Sequence, residues 1–256
     1  MPFCVIKSRS IKFALIVILV SILLSVSIDG VNAAQVYFGY PAKNVPIYCV
    51  ETSKPKVAIS FDAAWGAEKT ENIMTILKEF NSNATFFLVG FWVDKYPELV
   101  KKIDENGFEI GTHSNTHPDF TKLSESQMRQ ELETSVAMIK KITNKNVELF
   151  RPPYGAYNNS VINVSQSLNL KPIQWDVDSL DWKGISAKEI TERVLSKVKN
   201  GSIILCHNDS KNILDALPLV LDRLIKKGYE ITNIGDLVYK NNYVIDRNGT
   251  QRPKNA

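Results

Sequence analysis

The sequence predicts an α/β protein in which parallel strands form a closed or nearly closed β/α barrel. Short apolar runs alternate with segments of helical periodicity along most of the 256 residues. Each strand–helix–strand unit buries a helix against a parallel sheet, and about seven strands suit a barrel. An open, doubly wound sheet is the alternative. The seven apolar runs lie at residues 57–61, 84–89, 108–111, 147–150, 171–175, 202–206 and 229–232.

Helix boundaries are best marked where capping residues precede an apolar stripe. Ser124 and Gln127 can form a capping box at the start of a helix predicted over residues 124–142. Ser186 and Glu189 have the same spacing at the start of a second such segment. In both segments apolar residues recur every three or four positions. The other predicted helices lie at residues 70–80, 97–105, 186–198 and 213–227.

Residues 1–33 have the pattern of an export signal. Lys7, Arg9 and Lys12 precede the uncharged apolar run 13–28, and the small-residue sequence VNA precedes Ala34. The segment is therefore predicted to be a signal peptide or an uncleaved membrane anchor. Cleavage is favoured, because the run is shorter than the roughly 20 residues that span a bilayer. Either outcome places the domain outside the cytoplasmic membrane, secreted or anchored, in the cell wall or spore envelope.

The rest of the chain divides into a linker or edge segment at 34–54, one domain at 55–240 and a frayed tail at 241–256. Without residues 1–33 there are 28 basic and 26 acidic side chains, a net charge of +2. This balance gives no electrostatic basis for nucleic-acid binding. We expect a monomer that contacts a membrane only through an uncleaved residue 1–33 segment. Cys49 and Cys206 can pair only if the fold brings them together.

Two histidines follow the predicted strand at 108–111. His113 and His117 lie four residues apart in the sequence GTHSNTH. If a helical turn begins there, both imidazoles point the same way and can share one metal ion. A pair of surface or capping histidines is the alternative, since this spacing alone is a weak signal.

Polar side chains also follow other predicted strands. Asp62 comes directly after the apolar run 57–61, and Arg151 and His207 occupy the corresponding positions after two other runs. The carboxyl ends of barrel strands meet on one face, which is the face that carries chemistry. Five strand ends that supply His, Asp or Arg therefore predict an active site. The run at 171–175 contributes Asp176, Asp178 and Asp181.

Five short sequences, in this order along the chain, resemble the motifs of the polysaccharide deacetylase family, which is defined by the NodB-homology domain. They are SFDAAWG (60–66), THSNTH (112–117), RPPYGAY (151–157), DSLDW (178–182) and LCHND (205–209). The form of the first and fourth motifs is most similar to the sporulation-type, PdaB-like branch. The resemblance implies a distorted (β/α)7 barrel. It also implies an exported, metal-dependent carbohydrate deacetylase that hydrolyses the N-acetyl group of peptidoglycan-type amino sugars.

The resemblance assigns a role to each matching residue. His113 and His117 match the metal ligands, Asp62 the general base that acts on water, and His207 the general acid. A divalent ion is implied as the cofactor, zinc by default, with cobalt or nickel as alternatives.

The resemblance assigns five further positions to that centre. Asp181 matches the carboxylate that keeps His207 protonated, and Arg151 matches the residue that orients the base. The backbone N–H of Tyr154 is implied as an oxyanion donor. Trp182 and Leu205 are implied as apolar walls of the substrate site.

One position departs from the family pattern. The family carries two consecutive aspartates in its first motif, the second of which binds the metal, and here that position is Ala63. Asp62 can coordinate the ion itself in a weakened enzyme, or Asp176 or Asp178 can replace the missing ligand. The third alternative is a catalytically inactive homologue that binds glycan. Retention of the acid–base residues favours an active hydrolase.

Overall fold

The computed structural model describes residues 15–18, 20 and 44–254. The chain divides into two compact units, residues 1–43 and 44–256. Residues 15–18 and 20 are helical, and the rest of the predicted export signal lies outside the described residues. Within the described part of the chain, no helix combines the length and apolar character that crossing a bilayer needs.

The centre of the fold is a parallel sheet that curls into a distorted β/α barrel, as predicted. Its strands are β2 (Lys56–Ala63), β3 (Thr85–Leu88), β4 (Glu109–Thr112), β5 (Leu149–Phe150), β6 (Lys171–Pro172), β7 (Val177–Asp178), β8 (Ile203–His207) and β9 (Glu230–Thr232). The order is β6-β5-β4-β3-β2-β8-β7, and β9 pairs with the first residues of β2. Every recorded pairing in this sheet is parallel.

The helices pack outside this sheet. They are α1 (Thr70–Glu79), α2 (Gly90–Lys95), α3 (Pro97–Glu105), α4 (Glu125–Thr143), α5 (Asn159–Ser167), α6 (Ala187–Lys197), α7 (Ile213–Lys226) and α8 (Ile234–Leu237). Both predicted capping boxes are present, at Ser124 and at Ser186. Helices α2, α5 and α8 were not predicted, because each is short and its apolar residues do not form a long stripe.

The two faces of the central strand β2 have different environments, one apolar and one polar. Phe61 and Ala63 belong to the buried apolar cluster under the helices, where the Phe61 ring stacks on Phe86 with centroids 5.3 Å apart. Alternate residues of a strand face opposite sides, so Asp62 faces the barrel interior. In the register of β2 with β8, Asp62 lies directly beside His207.

The chain on either side of the barrel is more ordered than the sequence predicted. β10 (Tyr243–Ile245) and β11 (Thr250–Pro253) form an antiparallel pair, and β11 pairs in parallel with β1 (Cys49–Val50). The prediction of a frayed tail is therefore wrong for residues 243–253. It failed because short strands of mixed polarity give no clear periodicity. Cys49 and Cys206 are both buried and both free thiols.

Candidate active site

The polar residues that end the strands surround one cavity of about 660 Å3 at the carboxyl face of the barrel. This placement agrees with the expectation that the strand ends meet on a single face. Arg151 and Asp181 lie just behind the cavity wall and are fully buried. The lining residues are Asp62, Ala64, Trp65, His113, His117, Tyr154, Gly155, Trp175, Asp178, Trp182, Leu205, His207, Asp209, Ser210 and Lys211.

Asp62 is held by a buried ion pair. Arg151 Nη1 donates to Asp62 Oδ1 at 2.7 Å, and the guanidinium lies over the Phe87 ring, 4.1 Å from its centroid. Burial alone would raise the pKa of Asp62, but opposing causes, of which the charge of Arg151 is the largest, outweigh it, so the pKa is lowered. Asp62 is consequently an ionised carboxylate that presents its second oxygen to the cavity.

His207 is held by a second carboxylate. Its Nδ1–H donates to Asp181 Oδ1 at 2.8 Å, and its backbone N–H donates to Asp181 Oδ2 at 2.8 Å. Burial alone would lower the pKa of His207, but the hydrogen bond and the charge of Asp181 outweigh it, so the pKa is raised. The imidazole therefore keeps its proton to higher pH, and its Nε2 is left to face the cavity.

His113 and His117 meet through a loop, so the predicted helical turn is wrong. The loop has positive φ at Ser114 (74°) and at His117 (61°), which no helix allows. The ring centroids of His113 and His117 are nevertheless only 4.9 Å apart. The loop is tied to the start of α2, where Gly90 N–H donates to Ser114 O at 2.9 Å. Spacing in the sequence identified the pair correctly but not the backbone that joins it.

Both of these imidazoles are neutral and therefore suited to hold a cation. Burial, the largest cause, lowers the pKa of His113 and lowers the pKa of His117 to about 4. His113 Nδ1–H donates to Arg151 O at 2.7 Å, which leaves its Nε2 as the free lone pair, 3.5 Å from Asp62 Oδ2. His117 Nδ1 is buried without a hydrogen-bond partner.

A third metal ligand is missing from this arrangement. Residues 15–18, 20 and 44–254 contain no group of three His, Cys, Asp or Glu side chains placed to hold one ion. Catalytic zinc sites use three protein ligands, so His113 and His117 by themselves supply one ligand fewer than such a site has. Ala63 is fully buried with the apolar cluster, and Ala64 is the alanine that lines the cavity.

Neither aspartate considered as a replacement completes the set. Asp176 accepts hydrogen bonds from Ile203 N at 2.9 Å and from Ser202 Oγ at 2.9 Å. These partners lie at the start of β8, the opposite end from His207. The prediction that Asp176 belongs to the catalytic face is therefore wrong. Asp178 does line the cavity, where its Oδ1 accepts from Leu180 N at 2.8 Å.

The three substrate-site positions also border the cavity. Tyr154 adopts a positive φ of 59° in the turn after Arg151, and Trp182 and Leu205 line the opposite part of the wall. Sequence reasoning missed Trp65, Trp175, Ser210 and Lys211. Of these four, Trp65 has the clearest sequence signal, since it follows Asp62 by three residues at the same strand end.

The fold and the site together define a β/α-barrel protein that places one buried carboxylate–arginine pair and one half-buried histidine, held by a buried carboxylate, on the same cavity. A family profile for polysaccharide deacetylases matches residues 50–173. The chain resembles a crystal structure of a wild-type family 4 carbohydrate esterase pseudoenzyme from Bacillus anthracis, with 34% identity and a TM-score of 0.73. That match covers 75% of this chain and 68% of the other. The chain belongs to the polysaccharide deacetylase family.

Two curated relatives match over a similar region. A peptidoglycan-N-acetylglucosamine deacetylase of Bacillus cereus is 34% identical over 69% of this chain and 66% of its own length. The uncharacterised protein YlxY of Bacillus subtilis is 34% identical over 75% of this chain and 60% of its own. The chain thus spans slightly less than two thirds of these relatives. A mutant of the B. anthracis pseudoenzyme with restored enzymatic activity is 36% identical, with a TM-score of 0.73 over 75% of this chain and 71% of the mutant.

Proposed function

We propose that this protein removes the acetyl group from N-acetylated amino sugars of a peptidoglycan-type glycan. The observation that carries the proposal is that Asp62, paired with Arg151, and His207, paired with Asp181, line the same cavity. Amide hydrolysis needs a base for the attacking water and an acid for the departing nitrogen, and the lowered pKa of Asp62 and the raised pKa of His207 favour those protonation states. The named deacetylases among the relatives support the choice of substrate.

The residues of the chain account for the proton transfers. Asp62 accepts a proton from water as the water oxygen bonds to the acetyl carbonyl carbon. His207 gives its Nε2 proton to the sugar nitrogen as the carbon–nitrogen bond breaks, which yields acetate and a free amine. Arg151 holds the carboxylate in place, and Asp181 holds the imidazole. Trp182 and Leu205 border the space for the acetyl methyl group and sugar.

The test is acetate release from peptidoglycan and from chitooligosaccharides, with and without added zinc, cobalt or nickel. We expect His207→Ala to lower the rate by roughly 10²–10⁴-fold, the usual contribution of a general acid or base. Lys188→Ala is a suitable control, because it removes an exposed charge on α6 that does not line the cavity. Undetectable acetate from the wild-type protein with every glycan and ion would overturn the proposal.

Export, sporulation and a divalent ion are also part of the proposal. The basic and apolar pattern of residues 1–33 supports export, and the similarity of the motifs to the sporulation-type branch supports a role in the spore or cell envelope. The paired neutral imidazoles of His113 and His117 support weak binding of a divalent ion, with zinc as the first ion to test.

A second candidate function is glycan binding without turnover. Two observations favour it: the third ligand is missing, and a similar solved protein is a pseudoenzyme. This alternative predicts saturable oligosaccharide binding that neither a chelator nor Asp62→Asn changes. The acetate assay separates it from the first candidate.

Ala63→Asp tests whether the missing ligand limits metal binding. Because Ala63 is buried among apolar side chains, we expect the aspartate to destabilise the metal-free protein by about 1–3 kcal/mol. Zinc should then raise the melting temperature of the variant more than that of the wild type, since ligand binding to the folded state stabilises it. Adding His117→Ala should remove this gain. An equal zinc effect in both proteins would show that position 63 is not a ligand position.

A further inference from the structure

Two exposed aromatic rings lie beside the mouth of the cavity. Trp65 is 59% exposed and Phe91 is 40% exposed, and their ring centroids are 6.4 Å apart with planes inclined by 50°. Trp65 also lines the cavity and meets His117 edge to face, with centroids 5.0 Å apart. A contiguous apolar surface next to a ligand cavity is typical of a binding surface. Neither ring has a role in the acid–base chemistry described above.

The loop that carries Trp65 is fixed in place. Gly66 O accepts one hydrogen bond from Trp92 Nε1 at 2.7 Å and another from Asn208 Nδ2 at 3.0 Å. Gly66 has a φ of +59°, and a Cβ added there would lie 2.8 Å from Asp209 Cβ. Only glycine fits this turn without strain. The backbone next to Trp65 is therefore held in one conformation, so a ligand that stacks on the indole does not have to order this loop.

Phe91 is fixed from the other side. Its backbone N–H donates to Asn115 O at 3.2 Å, and Gly90 N–H donates to Ser114 O at 2.9 Å. A Cβ added at Gly90 would lie 2.1 Å from Asn115 Oδ1, so the start of α2 packs directly against the histidine loop. The backbone that carries Phe91 is thus joined to the loop that carries His117.

Together the rings extend the wall of the cavity outwards. Tyr154 lies 4.7 Å from His117 between ring centroids, and the row continues through Trp65 to Phe91. When one sugar of a glycan occupies the cavity, the next sugar lies outside it, against the surface that borders the cavity mouth. A pyranose ring has an apolar face of C–H groups, which matches the flat face of an aromatic ring. The exposed faces of Trp65 and Phe91 are suited to that contact.

We propose that Trp65 and Phe91 form a stacking subsite for the sugar next to the one that occupies the cavity. The inference rests on the proposed function to the extent that the cavity receives an amino sugar of a glycan chain. It assigns these residues a part in the recognition of chain length. Trp65 and Phe91 are then specificity-determining residues, and the ligand is an oligosaccharide of at least two sugars.

The experiment measures binding by calorimetry in the His207→Ala background, where the glycan is not consumed. Chitotetraose and N-acetylglucosamine are the two probes. We expect Trp65→Ala and Phe91→Ala each to weaken chitotetraose binding about tenfold, or about 1.4 kcal/mol, and to change N-acetylglucosamine binding much less. Trp65→Phe keeps an aromatic face and should retain most of the affinity. Leu219→Ala is the control, since Leu219 is similarly exposed but lies on α7, outside the cavity lining.

The outcomes separate this inference from the proposed function. Equal weakening of both probes, or no weakening of chitotetraose in folded variants, would overturn the subsite. An effect seen only with peptide-bearing glycan fragments would also overturn it, in favour of a peptide contact. Acetate release by the protein with an intact His207 is measured separately. If the wild-type protein releases no acetate but Trp65→Ala and Phe91→Ala still weaken chitotetraose binding selectively, the subsite is supported and the proposed deacetylase activity is contradicted.

Discussion

At the scale of single residues, the site consists of two hydrogen-bonded pairs, one of which lowers the pKa of Asp62 while the other raises the pKa of His207. Asp62 is kept ionised beside Arg151, and His207 is kept protonated beside Asp181. Burial acts against both charges, so each partner has to outweigh it. The order of residues in the chain could suggest these partners only through the motif resemblance. Their separation, 89 residues in one case and 26 in the other, is bridged by the barrel.

Asp181→Asn tests the second pair directly. The variant keeps the shape of the side chain but removes the charge that raises the pKa of His207, so burial should then lower that pKa. We expect the alkaline limb of the rate profile to move to lower pH, because the acid loses its proton earlier. NMR titration of the His207 ring protons measures the same shift without turnover. Asp178→Asn is the matched control, as its charge is a smaller cause of the shift. An unchanged His207 titration in Asp181→Asn would contradict this assignment.

At the scale of elements, the sequence identified the long helices and the strand ends more reliably than the connections. The helices α4 and α6 were predictable because capping boxes and apolar stripes are local signals. The histidine loop was not, because its positive φ values depend on contacts with α2. The loop that presents Trp65 depends in the same way on Trp92 and Asn208, which are distant in sequence.

Glu109 joins two elements and gives a prediction about stability. It lies on β4, and its Oε2 accepts hydrogen bonds from Thr85 Oγ1 at 2.6 Å and from Gly235 N–H at 2.9 Å, at the start of α8. Burial raises its pKa more than these bonds lower it. The folded state therefore binds the proton more tightly than the unfolded state, and stability falls as pH rises from the unfolded pKa through the folded one.

Glu109→Gln should remove this dependence, because glutamine keeps an acceptor for Gly235 N–H and carries no charge. We expect the stability of the wild type, relative to the variant, to decrease as the pH rises above 4.5, the ordinary pKa of a glutamate, and through the raised pKa of Glu109. Urea denaturation at several pH values measures the difference. Glu192→Gln is the control, since Glu192 is an exposed carboxylate on α6 and its charge is not among the causes of the Glu109 shift. Parallel curves for wild type and Glu109→Gln would contradict the expected linkage.

At the scale of the whole molecule, the barrel was predictable because seven apolar runs alternate with helices. The second sheet was not, because β1, β10 and β11 have two to four residues each and β1 pairs with β11 across about 200 positions. Such pairing is decided by backbone hydrogen bonds and by burial, which leave little trace in local sequence. The sheet joins the segment that precedes the barrel to the one that follows it.

Gln251 connects this second sheet to the end of the barrel, and its loss should lower the stability of the whole domain. It is completely buried on β11, its Oε1 accepts from Tyr239 N–H at 2.8 Å, and its Nε2 donates to Tyr239 O at 2.9 Å. Gln251→Ala leaves both backbone groups without these partners, which costs about 1–3 kcal/mol for each buried group that water cannot reach. Arg252→Ala, at the next and more exposed position, removes surface ion pairs worth at most about 1 kcal/mol. Urea denaturation of the two variants compares these losses. If Gln251→Ala were no less stable than Arg252→Ala, the second sheet would contribute little to the stability of the barrel.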